Sequence, residues 1–153
     1  MIKKFVLCTL VVAAMGMTAC GSKEVSIDVK ALGSDLDTKI QYDDELMEMD
    51  IDTLAMFMNL SGLSVVNSSI YESSGATAEE IVVFECSSED EAKKAQDVFK
   101  TRVEEQKESF TDYVPAELPK LDAAVIETAG KYAVLSVSGD AAAAKQIIDG
   151  YVK

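Results

Sequence analysis

The sequence predicts an α+β domain: a four-stranded antiparallel sheet made of two hairpin–helix (ββα) units, helices packed on one face, one or two short helices in front. Three observations predict it. Two pairs of short runs rich in β-branched and aromatic residues are each joined by a turn containing glycine. A capped segment with apolar residues at helical spacing follows each pair. Strands joined by short turns pair antiparallel, and helices then layer against the sheet they leave.

The elements follow in order. Ser26 or Asp28 is placed to cap a first helix, in which Val29, Leu32 and Leu36 recur at i, i+3 and i+7. Gly33 inside it runs against helix propensity. In the acidic stretch from Tyr42 to Asp50, Leu46, Glu48 and Asp50 alternate with Met47 and Met49 and read as a short half-buried strand. Asp52 reads as the cap of a helix over 53–60, which Gly62 ends. Residues 64–72, with Val65, Val66, Ile70 and Tyr71, read as a strand. The turn cluster 73–77 follows, with Gly75 where positive φ is expected. The return strand runs over 79–86.

Ser88 caps a long helix, and Glu91 three residues on completes a capping box. Ala92, Ala95, Phe99, Val103, Gln106 and Phe110 mark its inner face, with the charged residues mostly elsewhere. Tyr113-Val114-Pro115 ends it, because the residue before proline avoids the helical region. Strands over 123–128 and 132–138 join across Ala129-Gly130-Lys131. Asp140 caps a last helix carrying Ala143, Ala144, Ile147, Ile148 and Tyr151.

Ahead of this domain the chain reads as an address. Lys3 and Lys4 precede an apolar run, Phe5 to Met15, and small residues then lead to Cys20, the order of a secretory signal. From Phe5 to Ala19 there are 15 residues. A membrane-spanning helix needs roughly 20, so a permanent span is the weaker reading. Met17-Thr18-Ala19-Cys20 looks like a bacterial lipobox, with Met17 where leucine is usual. That likeness implies cleavage between Ala19 and Cys20 and a diacylglyceryl group on the Cys20 sulfur. The competing reading is an ordinary signal peptide with an incidental Cys20. Cys8 fits less well, since Leu7 before it is not small. The organisation expected is therefore a signal peptide over 1–19, a lipidated cysteine with a short tether over 20–25, and a single domain over 26–153. Extended, the five residues after Cys20 reach at most about 18 Å, which keeps the domain near the membrane face.

Composition excludes several classes. The net charge is −13, and loss of Lys3 and Lys4 makes the remainder more acidic. Such a domain repels nucleic-acid phosphates and anionic lipid headgroups, so neither nucleic acid nor electrostatic membrane adhesion is expected. The membrane contact would be the anchor itself. Cys86 is left without a disulfide partner once Cys20 is alkylated. The chain has no histidine, which removes Ser–His and Cys–His catalysis and imidazole metal sites. No P-loop, G-x-S-x-G, S-x-x-K or C-x-x-C motif is present, and the sequence calls for no cofactor and no metal.

Four features invite chemistry. The acidic segment 43–52 suits a hard cation but lacks a calcium-loop pattern, and a solvated face is the plainer reading. Met47, Met49, Met56 and Met58 offer thioethers for copper, but packing into the core is the expected role. Cys86 shares a strand face with Val82 and Phe84 and reads as a buried, inert thiol. Arg102 is the only arginine. It lies one turn before Gln106 and within sequence reach of Tyr113 and Glu117, and reads as a structural ion pair or as an anion or peptide anchor.

The stretches GATAEEIVVFE (75–85), RVEEQKESFTDYVPAE (102–117) and GKYAVLSVS (130–138) carry a family likeness. The linked order Gly-Ala-Thr-Ala-x-Glu-Ile, Arg-x-x-x-Gln and Tyr-x-Pro resembles uncharacterised lipoproteins of Clostridia-type Gram-positive bacteria, domain of unknown function 4358. The likeness covers roughly 30–152 and implies the extracytoplasmic, membrane-anchored location; it brings no activity and no catalytic residues. The function expected is a non-enzymatic binding or interaction domain, with an envelope protein or small ligand as partner. Arg102, Gln106, Tyr113 and Pro115 are its candidate contacts, with the exposed sheet face and the 113–119 loop as surfaces. The alternatives are a carboxylate-dependent hydrolase of wall or glycan, which needs two facing carboxylates, and a structural envelope component.

Overall fold

A computed structural model describes residues 24–152. The signal, the Ala19–Cys20 cleavage site, the lipidated Cys20 and most of the tether lie outside them. The elements are α1 (Val29–Lys39), β1 (Met47–Met49), α2 (Ile51–Leu54), β2 (Val65–Glu72), β3 (Glu80–Cys86), α3 (Glu89–Tyr113), α4 (Leu118–Asp122), β4 (Val125–Ala129), β5 (Tyr132–Val137) and α5 (Ala141–Tyr151). A 3-10 turn, Pro115–Glu117, joins α3 to α4. The sheet is antiparallel with five strands in the order β1-β2-β3-β5-β4.

The two hairpins form as their turns dictate. Gly75 (φ 90°) and Gly130 (φ 54°) take the positive φ that the reversals need. The fifth strand is the short acidic run, whose residues Met47, Glu48 and Met49 pair with Glu72, Tyr71 and Ile70 at the sheet edge. Four strands were expected. Counting the two hairpins alone omits this added edge.

The larger correction concerns the layers. Helices cover both faces. On one, α3 packs Ala92, Ala95, Phe99 and Val103 against Val82, Phe84, Ala133 and Leu135. On the other, Leu32 and Leu36 of α1 and Ala144 and Ile148 of α5 pack against Ile81, Val83, Tyr132 and Val134. The strands say why. All six residues of β5 are buried and so are six of the seven in β3. A strand apolar at every position has two faces to cover, whereas alternation marks a strand with one wet face. The exposed sheet face expected as a contact surface is therefore absent from the central strands.

Local signals set the helix ends. Asp28, Ser88 and Asp140 accept from the backbone N–H three residues on, at 3.0, 3.2 and 2.9 Å. The capping box at Ser88 forms by half, because the Glu91 carboxylate turns to the Ser64 N–H (2.9 Å) instead of back to its own cap. Asp50, not Asp52, caps α2, accepting from Thr53 N at 2.7 Å, and the helix stops at Leu54. Residues 55–58 continue as turns. Gly33 has a packing reason: a Cβ there would lie 2.7 Å from Ser69 Cβ, so α1 reaches β2 only across a glycine. Cys86 is buried as expected, and burial pushes its thiol up to about 11. Met58 joins the core and Met49 packs against it, but Met47 and Met56 are exposed, against the expectation that all four fill the core. Met47 stands at the edge strand and Met56 on the turn after α2, where no element covers them.

Candidate functional site

Hairpin register places Glu72, the last residue of β2, opposite Glu80, the first of β3. Both side chains are on the α3 face, as are Ile70 and Val82. Both are buried. Across from them α3 presents Arg102, whose Nε donates to Glu80 Oε2 at 3.2 Å and whose Nη2 lies 3.8 Å from Glu72 Oε2. Gln106, one turn on, brings its side-chain amide to the same guanidinium; with the amide oxygen assigned to face these donors, it accepts from Nη2 at 2.6 Å. The Phe57 ring lies over the guanidinium, 5.1 Å from its carbon, as a cation–π lid.

Two carboxylates and one guanidinium cannot balance unless a proton is added. Burial, then the Glu80 charge, push the Glu72 carboxyl up to about 10, and the nearby Arg102 only partly offsets this. Glu72 is therefore the neutral acid of the pair at physiological pH, and Glu80 is the one that accepts from Arg102 Nε. Among the described residues Glu72 Oε1 and Glu80 Oε1 have no other partner, and a proton held in the hydrogen bond between the two carboxyls supplies the missing donor.

A second, partly buried network stands at the same end of the sheet. Lys120 Nζ meets Asp43, Glu79 and Glu117 at 2.7, 3.0 and 3.0 Å. Glu79 also accepts from the backbone N–H groups of Asp43 and Asp44 and from Thr77 Oγ1. Glu117 accepts from Ala78 N at 2.9 Å. Every carboxylate here has a donor, so the network is a clamp joining the 42–45 segment, the β2–β3 turn and α4. Hydrogen bonds to three carboxylates raise the Lys120 ammonium beyond its ordinary range, against its burial.

The acidic segment divides its tasks. Asp43 meets Lys120, Asp44 accepts from Ser74 N, Glu48 pairs with Lys30, and Asp50 caps α2. Among the described residues no group of three or more His, Cys, Asp or Glu side chains is arranged to hold a metal ion. None of their helices is long and apolar enough to cross a membrane.

On the outward side of Arg102 the surface opens into a pocket of about 220 Å³. α3 gives it Asp97, Val98, Thr101 and Glu105 along one face, and the turn after α2 gives Met58 and Asn59. Of the candidate contacts, Arg102 lines this pocket and Gln106 meets Arg102 behind it. Tyr113 and Pro115 do neither: they stand at the C-terminal end of α3, about 16 Å further along it at 1.5 Å per residue. Tyr113 is 70% exposed beside Phe110. Glu117, expected near Arg102, belongs to the Lys120 clamp instead. The 113–119 loop is in fact the end of α3, the 3-10 turn and the start of α4.

Sequence reading missed Glu72, Glu80, Phe57 and Lys120 as partners. The signal for Glu72 and Glu80 was available, since a hairpin closing over 73–79 sets 72 opposite 80. It also unites two of the family stretches: Glu80 belongs to Gly-Ala-Thr-Ala-x-Glu-Ile, and its partners Arg102 and Gln106 are the Arg-x-x-x-Gln pair.

A family model described as a domain of unknown function (DUF4358) matches residues 41–138, and the chain belongs to that family. The match spans all five strands and α3 but leaves α1 and α5 outside. It is narrower than the 30–152 suggested by the quoted stretches. No curated protein and no solved structure matches the chain.

Proposed function

Starting from a member of a family whose description records no activity, we propose that the chain is a lipid-anchored, extracytoplasmic binding domain, non-enzymatic, that recognises an envelope protein at the outer face of the cytoplasmic membrane. One observation carries the reading. The only arginine faces inward, committed to Glu80, Glu72 and Gln106, and it seals the two facing carboxylates while its outer side forms the wall of an open pocket. A buried carboxylate pair beside an open pocket supports recognition over chemistry at this place. The hydrolase alternative draws no support from this pair, whose side chains are 9% and 0% exposed. A hydrolytic pair must meet substrate and water.

The geometry of the tether fits the same picture. The described chain begins beside the β4–β5 turn, where Val25 Cβ lies 3.6 Å from the place a Gly130 Cβ would occupy. Ser88, the start of α3, follows Cys86, whose N–H bonds Lys131 O at that turn. Arg102 is 14 residues further along α3. At 1.5 Å per residue that is about 20 Å, so Arg102 stands toward the end of the domain opposite the one where the described chain begins.

The test is metabolic labelling with an alkynyl fatty acid, followed by recovery of the protein from membranes. The wild type should carry label and bring down a specific partner, and Cys20→Ser should lose the label and the membrane association. Label retained in Cys20→Ser contradicts the anchor. Repeated recovery of no partner from a labelled wild type contradicts the binding role and favours a structural envelope component.

A further inference from the structure

We propose that the pocket between α3 and the turn after α2 takes a single basic side chain, of lysine or arginine type, presented by a partner polypeptide. This rests on the binding role above and names the chemistry of its ligand. Size points to one side chain: the cavity is about 220 Å³, below the roughly 300–1,000 Å³ of sites that enclose a drug-sized molecule. Its walls suit an alkyl stem ending in a cation. Met58 and Val98 are apolar, and Asp97, Thr101 and Glu105 set oxygen acceptors along one helical row.

Charge selects the sign of the occupant. Arg102 lines the pocket, but its guanidinium is neutralised from behind by Glu80 at 3.2 Å and further held by Gln106, so it offers no free anchor for an anion. Asp97 is partly balanced by Lys100 at 3.0 Å. Glu105 is exposed and has no ion-pair partner among the described residues. An anion would meet Glu105, Asp97 and the field of a chain with net charge −13, whereas a cation is drawn to all three. On the same turn Met56 (84% exposed) and Phe57 (40% exposed) give apolar surface of the kind that shields an anchor residue from water.

The experiment is an amide-resolved NMR titration of the protein with three short capped peptides that differ only at the central residue: lysine, its uncharged analogue norleucine, or glutamate. The lysine peptide should shift Asn59, Asp97, Thr101 and Glu105 together, and the glutamate peptide should leave them unmoved. Glu105→Gln, at an exposed position, should weaken the lysine peptide about tenfold, as loss of a charge-assisted contact predicts, with an unchanged spectrum elsewhere. Equal responses to lysine and norleucine, shifts scattered over the acidic surface, no response at all, or an unaffected Glu105→Gln would each overturn the proposal. A partner recovered from membranes whose binding survives Glu105→Gln overturns this pocket while leaving the binding role intact. A lysine peptide that docks as described on a protein with no cellular partner does the reverse.

Discussion

Glu72→Gln should flatten the pH dependence of stability across neutral pH. In the folded protein, burial and the Glu80 charge keep the Glu72 carboxyl protonated up to about 10, while its ordinary value is 4.5. Between those values the unfolded chain has released this proton and the folded chain holds it. Folding therefore takes up one proton. The stability this group contributes is complete below its unfolded value, declines as pH rises and is gone above the folded one. One proton corresponds to about 1.4 kcal/mol per pH unit. From about pH 5.5 to about pH 7.5 the wild type should thus lose stability through this pair, on the order of 2–3 kcal/mol. The chain has no histidine to change charge in that window. Asp35, Asp44, Asp50 and Glu91, whose carboxyls hydrogen bonds hold below their ordinary range, titrate beneath it. Glutamine keeps a donor for Glu80 and cannot ionise. Urea unfolding followed by far-ultraviolet circular dichroism at three pH values gives the slope. It should be much shallower in Glu72→Gln, where Asp37, raised by burial, is left to contribute, with the variant the more stable protein at the upper pH. The same slope in both proteins would refute a proton held between Glu72 and Glu80.

Three further outcomes follow from the packing. Lys120→Met leaves Glu79 and Glu117 buried without their cation, which should cost about 3–5 kcal/mol in urea unfolding; a loss under about 1 kcal/mol would show that the backbone donors alone satisfy them. Gly33→Ala drives a methyl into Ser69 and should cost about 1–3 kcal/mol; Ser69→Gly should recover part of that in the double variant, and strict additivity would contradict the contact. Cys86, fully buried with its thiol pushed up to about 11, should resist a maleimide in the native protein and react once urea unfolds it; modification at equal rates in both states would place the thiol at the surface.

The sequence disclosed what is local. The inner face of α3 is legible because Ala92, Ala95, Phe99, Val103, Gln106 and Phe110 obey helical spacing. The caps at Asp28, Ser88 and Asp140 are legible because short oxygen-bearing side chains stand just before such spacing. The cap of α2 was misplaced by two residues because Asp50 and Asp52 offer the same chemistry two positions apart, and only the fold decides between them. The covered second face was missed even though IVVF and YAVL are apolar without alternation, which is the mark of a strand buried on both sides. A hairpin followed by a helix does not say on which side of the sheet the helix falls. Arg102 was recognised as singular, but its partners stand 22 and 30 residues away on the hairpin ends. Its role depends on register, not on its own helix. Phe57 and the pocket depend on where an irregular turn comes to rest, which no periodicity encodes.

The central claim is that recognition happens on the outer side of α3, around the pocket beside Arg102, in a domain held at the membrane. Site-specific photo-crosslinking in cells tests it most directly. A photoreactive residue placed at Thr101, on the pocket wall, is compared with one at Thr128, exposed on the edge strand β4. The account predicts a defined crosslinked partner from position 101, diminished when Glu105→Gln is added, and none from position 128. Equal crosslinking from both positions, or a partner captured only from 128, would contradict it.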